Sequence, residues 1–365
     1  MVQKSDDAMP LKPASVRQGA LPTRALGRSG LDVTVIGFGA APLGDLYFHL
    51  DDALAIAAVE AAYQAGIRVF DTSPHYGNGL SEHRCGTALR RIARESFVLS
   101  SKVGRYMQAR SAREARTAKG VASPGFAGGF PHRSIVDYSF DGTLRSFEQS
   151  MLRLGVDRLD IALIHDVDVW THGAEQIETR FREAMAGAYR ALERLRSEGA
   201  VKVIGVGVNE ADMCARFARA GDFDAMLLAG RYSLLEQPAL AEFLPLAQEK
   251  GIGVMLGGVF NSGILATGPV PGAHYNYKPA APEVIERVGK IARICGAHGV
   301  DLPDAALRFP LGHPAVACVV LGAVTPGEVA RNVASLTKPI PAALWSDLKA
   351  QGLLAAQIPT PAETE

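Results

Sequence analysis

The stretch Arg68-Val69-Phe70-Asp71-Thr72-Ser73-Pro74-His75-Tyr76-Gly77 sets the reading of the whole chain. Its apolar opening is of strand type, Asp71 closes it, and the Ser73-Pro74 turn carries Tyr76 over the strand's end. An acid and a phenol are thereby offered to one cavity.

Working outward, the same unit repeats. Residues 51–65 have helical spacing before this strand, with Gly66 closing the helix, and residues 81–94 form the next helix. A strand over 97–103 then brings Lys102 near its C-terminal end. A helix over 139–154 precedes a strand over 158–165 that ends in His165, and a helix over 181–198 precedes a strand over 201–208 that ends at Asn209. Strands centred near Val33, Val69, Val98, Ile161, Val203, Met226, Val254 and Val319 make eight, most of them followed by a helix. That alternation predicts an α/β fold, a (β/α)8 TIM barrel, with a short β-hairpin over residues 21–37 and long loops over the C-terminal face. One domain is expected over 21–345, between a flexible tail at 1–20 and a C-terminal tail at 346–365.

An open doubly wound sheet is the rival. It brings a glycine-rich phosphate turn after its first strand. Gly37-Phe38-Gly39-Ala40-Ala41-Pro42-Leu43-Gly44 fails that test, because the third glycine falls late and Pro42 interrupts the turn. Two segments, 104–131 and 261–282, have no sustained period. The first is longer than an ordinary connection and is expected to cover the substrate.

Composition narrows the partners. The chain has 365 residues, 48% of them hydrophobic, and its 38 Lys+Arg balance its 38 Asp+Glu, so nothing draws it to nucleic acid or anionic lipid. No apolar leader or spanning stretch is visible, and a cytoplasmic protein without membrane partners is expected. Cys85, Cys214, Cys295 and Cys318 are scattered, with no pair spaced for a metal, and read as structural thiols.

In a barrel, the C-terminal ends of the strands meet over one mouth. Asp71, Lys102 and His165 would come from three strand ends, with Tyr76 just past the first. A phenol with a pKa of about 10 is a poor proton carrier at neutral pH. An adjacent buried ammonium would lower that value, a carboxylate would fix the ammonium, and His165 would orient a carbonyl or hemiacetal oxygen. Proton transfer to a carbinol oxygen needs a hydride carrier, which no side chain can be, and a nicotinamide cofactor follows.

The ordered set Gly37-Phe38-Gly39, Asp71 to Gly77, Ser101-Lys102-Val103, Leu163-Ile164-His165-Asp166 and Gly322-Ala323-Val324-Thr325-Pro326 resembles the aldo-keto reductase family over nearly the whole chain. The resemblance implies a barrel with Asp71, Tyr76, Lys102 and His165 as catalytic tetrad and a nicotinamide dinucleotide held without a Rossmann fold. It implies cofactor contacts from Gly39, Asp71, Asn209, Gly257, Phe260, Gly263, Leu265, Gly322, Ala323, Val324, Thr325, Glu328 and Asn332. Asn209 would hold the carboxamide from a shifted position, and Phe260 would replace a stacking tyrosine. NADP-preferring members carry Lys and Arg where this chain has Gly322 and Glu328. A carboxylate there repels a 2′-phosphate, which favours NAD, with NADP the alternative, although Glu328 equally suits a helix start.

Within the family, residues 41–47, 257–265 and Tyr275-Asn276-Tyr277 resemble the branch of aldose 1-dehydrogenases (L-fucose and D-threo-aldose) and pyridoxal 4-dehydrogenases. That implies an aldose or pyridoxal-like substrate, with Asp45, Tyr47, His75, Trp170 and Asn261 as its candidate contacts. An NADPH-dependent aldehyde reductase and a cofactor-sensing binding subunit are the alternatives. The family leaves the oligomeric state open, a homo-oligomer included.

Overall fold

The computed structural model describes residues 20–117 and 125–361. The N-terminal tail expected at 1–20 lies almost wholly outside the described residues. Eight parallel strands close into a barrel: β1 (Ile36–Gly39), β2 (Val69–Asp71), β3 (Val98–Val103), β4 (Ile161–His165), β5 (Val203–Val208), β6 (Ala225–Ala229), β7 (Gly253–Gly257) and β8 (Val316–Gly322). Each strand pairs with the next in sequence, and β8 returns to β1 through Gly322 opposite Gly39. Helices connect most strands around the outside, so the strands are covered on both faces and are mostly apolar, with polar residues such as Asp71, Lys102 and His165 toward their C-terminal ends.

The first barrel strand is not the one expected. Val33 lies in Asp32–Thr34, which pairs antiparallel with Thr23–Ala25, and the barrel begins at Ile36. The chain changes sheet at Val35, whose N–H donates to Pro22 O while Thr34 Oγ1 turns onto Ile36 O (2.7 Å). Gly37 and Gly39, from the stretch that fails the phosphate-turn test, are strand residues. A Cβ on Gly37 would come within 3.0 Å of Cys318 Sγ, so glycine there serves the barrel's close packing.

Two apolar layers result. Val69, Val98, Ile161, Leu163, Val203, Leu227, Met255 and Val320 fill the barrel, and Leu26 and Val33 of the hairpin close its N-terminal end. Arg24 fastens that hairpin by donating to Val316 O (2.7 Å) and Leu311 O (2.8 Å). Gly27, at φ 56°, sits where a Cβ would meet Gly251 O at 2.3 Å. The larger layer lies between strands and helices. The expected domain end at 345 falls inside the helix Ala342–Ala350, and Leu353, Leu354 and Ile358 beyond it are buried in this layer.

The irregular segments carry structure that periodicity missed. Arg105–Gln108 pairs with Arg133–Val136, and His274–Tyr275 pairs with Lys278–Pro279 through Asn276 and Tyr277, both with positive φ (48° and 62°) as a two-residue hairpin turn requires. The long helix over 181–198 starts earlier, at Ile177, and widens to a π-helical turn over Ala184–Tyr189. There Gly187 packs so close to Tyr138 O that a Cβ would lie 2.3 Å away. Among the described residues, the eight non-glycine residues with positive φ (Asp45, Tyr47, Asn78, Asp166, Asn261, Ser262, Asn276, Tyr277) lie in connections beyond strand C-terminal ends. Such backbone is held only where its surroundings over-determine it, and here it marks the mouth.

Candidate active site

β2, β3 and β4 deliver the first three side chains. Lys102 Nζ donates to Asp71 Oδ1 and, at 2.9 Å, to Thr72 O, and Ser100 Oγ donates to Asp71 Oδ1 at 2.6 Å. Both charged groups are buried, a condition that charges tolerate only when paired and hydrogen-bonded. Tyr76 stands above them, its ring edge-on to His165 with centroids 5.9 Å apart. The four residues thus share one mouth.

The electrostatics differ from the expectation in one respect. Lys102 was expected to lower the Tyr76 pKa. Instead burial, followed by the charges of Asp71 and Asp166 and by Tyr277, pushes it well above the ordinary phenol value. The ammonium is matched by Asp71, so its charge does not reach the phenol alone. Tyr76 is a phenol at neutral pH.

Burial lowers the His165 pKa to about 3, with Lys102 adding to burial and Asp166 opposing it. The ring is therefore neutral, and its partners define its tautomer. Nδ1 lies 3.1 Å from Ser73 Oγ, and the His75 N–H donates to that same oxygen at 3.0 Å. The Ser73 hydroxyl can donate or accept here, so the tautomer is set at the other nitrogen: the Asp166 carboxylate, which can only accept, lies 3.3 Å from Nε2 and places the hydrogen of His165 there, leaving Nδ1 to accept from Ser73.

A ring of charged and aromatic groups surrounds this core. Asp166 Oδ1 is 3.3 Å from His165 Nε2, and Asp166 Oδ2 accepts from Arg105 at 3.0 Å. Burial works against ionising Asp166, but the charge and hydrogen bond of Arg105 oppose it and hold its pKa below the ordinary carboxylate value. Phe126, in the returning arm of the loop at 104–131, packs on His75 and Tyr76 with centroids 5.5 and 5.9 Å away. Burial lowers the His75 pKa to about 4. Trp170 and Tyr277 meet at 6.0 Å, both half-exposed, and burial together with Tyr277 raises the Tyr47 pKa to about 12.

Asp45 is the exception among the candidate substrate contacts. Its carboxylate is buried and takes Arg84 (2.7 Å), the Leu50 N–H (3.2 Å) and His49 (3.1 Å). It fastens the loop after β1, and both its oxygens are engaged in doing so. Tyr47, His75, Trp170 and Asn261 do reach the mouth.

A cleft at the same end of the barrel is lined by Trp170, Asn209, Arg231, Gly258, Asn261 and Tyr277 among others. Asn209 is steered into it by Asp168, which accepts from its backbone (3.0 Å) and side chain (3.3 Å). Asn261 is fixed through Nδ2 to Glu236 (2.8 Å), while its buried Oδ1 has no partner among the described residues. Gly257 and Gly258 leave the rim bare of side chains. An orphaned amide oxygen, a second amide and a bare rim fit a flat, polar cofactor.

Three expected cofactor contacts lie together beyond β7. The Leu265 side chain is in the core, and its N–H donates to Phe260 O (3.1 Å); Phe260 itself packs against the core, and Gly263 starts the helix Ile264–Thr267. At the far end Gly322 is exposed and Ala323 buried, with Asn332 on the helix that follows. Thr325 caps that helix, accepting from the Glu328 N–H (3.2 Å), and Glu328 Oε2 accepts from the Val324 N–H (2.7 Å). Glu328 therefore uses one oxygen for a variant of the capping box, reaching the N–H just before the Thr325 cap.

Ser73, Arg105, Phe126, Asp166, Arg231 and Tyr277 escaped sequence reasoning as site residues. Among the described residues no group of three or more His, Cys, Asp or Glu is placed to hold a metal ion, and the four cysteines are buried and unlinked. No helix there is long and apolar enough to cross a membrane.

An eight-stranded barrel with Asp71, Lys102, His165 and Tyr76 at its C-terminal mouth defines a class, the barrel oxidoreductases. The aldo/keto reductase family profile matches residues 35–351, and the chain belongs to that family. It is 41% identical over 337 residues to a pyridoxal 4-dehydrogenase from Microbacterium luteolum, covering 91% of this chain and 97% of the relative. It is 40% identical over 338 residues to a D-threo-aldose 1-dehydrogenase from a Pseudomonas species, covering 92% and 98%. Among solved structures it resembles an aldo-keto reductase from Bacillus halodurans in its holo form, with a TM-score of 0.71 and 24% identity, covering 93% of this chain and 98% of that one. At that identity the likeness speaks for the fold. The chain is an oxidoreductase, and members of its family use nicotinamide cofactors.

Proposed function

We propose that the protein is an NAD-preferring dehydrogenase that oxidises the hemiacetal carbon of an aldose, of L-fucose or D-threo-aldose type, to a lactone. Tyr76 is its general acid/base. The observation that carries the reading is the convergence of Tyr76 and the neutral, tautomer-fixed His165 above the buried Asp71–Lys102 pair.

Asn209, Asn261, Gly258 and Arg231 are the cleft residues suited to hold the cofactor's nicotinamide half, and Gly322 to Glu328 with Asn332 its adenosine half. A bound nicotinamide dinucleotide supplies the hydride acceptor. His165 Nε2–H donates to the substrate's reacting oxygen, and Tyr76 exchanges the proton of that oxygen. As a phenol, Tyr76 is ready to donate to a carbonyl. Oxidation calls on its deprotonated form and speeds up as pH rises. Lys102 keeps a positive charge below the phenol, and Asp71 keeps Lys102 in place. Preference for NAD rests on the Glu328 oxygen left over from its capping bond, which accepts from a free 2′-hydroxyl and repels a 2′-phosphate.

The half-exposed Trp170–Tyr277 pair also suits a flat pyridine ring, which keeps pyridoxal as the second substrate reading. A panel of aldoses and pyridoxal, each with NAD and with NADP and followed by the absorbance of reduced cofactor, tests the proposal. Turnover of an aldose with NAD is expected. Activity confined to pyridoxal, or to NADPH with simple aldehydes, overturns it.

A further inference from the structure

Asp166 follows His165 directly, at the point where the chain leaves β4. Its backbone is left-handed (φ 57°), and its N–H donates to Gly207 O of the neighbouring strand at 3.0 Å. The Tyr138 hydroxyl donates to His165 O at 2.8 Å and holds the same peptide from the other side. For a residue with a side chain this backbone is uncommon, and its effect is to turn the carboxylate back beside the His165 ring.

The carboxylate is buried yet incompletely satisfied. Oδ2 accepts from Arg105, whose own buried Nε has no acceptor among the described residues. Oδ1 faces His165 Nε2 at 3.3 Å, longer than a charge-assisted hydrogen bond of about 2.7–2.9 Å. His165 Nε2 bears the hydrogen, because the Asp166 carboxylate beside it can only accept, and this donor serves the substrate's reacting oxygen. Once that oxygen takes it, Asp166 Oδ1 is left as a buried acceptor with no donor, an expensive condition unless the substrate brings one.

We propose that Asp166 is a specificity-determining residue, whose Oδ1 accepts a hydrogen bond from a hydroxyl on the carbon next to the reacting carbon. The site therefore selects substrates with vicinal oxygens, such as aldoses and α-hydroxyaldehydes, over those with a bare neighbouring carbon. The inference rests on the reading of Tyr76 and His165 as the pair that binds the reacting oxygen. It deepens that reading by naming the group that recognises the adjacent position. A site built to bond a substrate hydroxyl rejects the analogue lacking it far more strongly than an apolar pocket rejects a missing methylene.

The test compares kcat/KM for an aldose and its 2-deoxy counterpart with NAD, in the wild type and in Asp166→Ala. The wild type is expected to favour the 2-hydroxy sugar by about 100-fold or more, and the variant to lose at least about tenfold of that ratio. The ratio separates recognition from damage to His165, which would slow both sugars alike. A wild type that takes both sugars equally, or a ratio unchanged in Asp166→Ala, overturns the proposal. If Asp166→Ala fails to fold, the wild-type ratio still decides. Reduction of glycolaldehyde and acetaldehyde with NADH asks the same question without a sugar ring. If no aldose is oxidised but glycolaldehyde is preferred and the preference collapses in the variant, the hemiacetal reading fails and the role of Asp166 stands. Equal rates for the two aldehydes overturn the role of Asp166.

Discussion

Ser73 Oγ lies 3.1 Å from His165 Nδ1, linking the loop after β2 to the end of β4. The acceptor-only Asp166 carboxylate, 3.3 Å from Nε2, puts the His165 hydrogen there, so Nδ1 accepts the Ser73 proton while the Ser73 oxygen accepts from the His75 N–H. Replacing Ser73 by Ala removes that proton and frees the imidazole to adopt the other tautomer. The expected loss in kcat is about tenfold, corresponding to about 1.4 kcal/mol, with KM little changed. Steady-state kinetics of Ser73→Ala against Ser73→Thr, which keeps the hydroxyl, check it. Equal rates for the two variants would remove the tautomer argument.

The Asp71–Lys102 pair makes a stability prediction separable from catalysis. Removing one partner strands a buried charge, so Lys102→Met should cost about 3–5 kcal/mol in urea unfolding. Asp71→Leu combined with Lys102→Met should recover much of that loss and none of the activity. A double variant no more stable than the single one would mean that the pair does not act as a unit.

Two histidines predict how stability depends on acidity. Their folded-state values, about 3 for His165 and about 4 for His75, lie below the unfolded value of about 6.5. Below that value the unfolded chain binds protons that the folded chain refuses, so stability falls as pH drops from about 6.5 toward 4. Each histidine contributes a slope of up to about 1.4 kcal/mol per pH unit. Urea midpoints across this range check it, and His75→Gln should reduce the slope by one histidine's share. An unaltered slope would contradict the burial argument.

Glu328 joins two roles, and one variant reads both. Glu328→Arg should raise the kcat/KM ratio of NADP to NAD, while losing the capping box at a cost of about 0.5–2 kcal/mol. A fall in stability with no change in that ratio would leave Glu328 a helix cap and nothing more.

The sequence made the barrel and the tetrad legible because both depend on local pattern: apolar runs ending in Asp71, Lys102 and His165. The first strand was misplaced because Val33 and Ile36 belong to one extended run that changes sheet at Val35, which no periodicity records. Asp45 had the chemistry of a substrate contact but not the freedom, since Arg84, 39 residues away, takes its carboxylate. Ser73, Asp166 and Tyr277 all stood in quoted motifs. Their roles come from loop backbone and from partners on other strands, Ser73 with His165 and Asp166 with Arg105. Left-handed backbone at a polar residue beside a strand end is the local sign that would have found Asp166 and Tyr277, and it exists only once the chain has folded.

The central claim is that Tyr76 moves the proton. The most direct measurement is kcat for aldose oxidation by Tyr76→Phe, with cofactor affinity followed in parallel by fluorescence titration. The account predicts a loss of about 10²–10⁴-fold in kcat with unchanged cofactor binding. Turnover within a few fold of the wild type would contradict it.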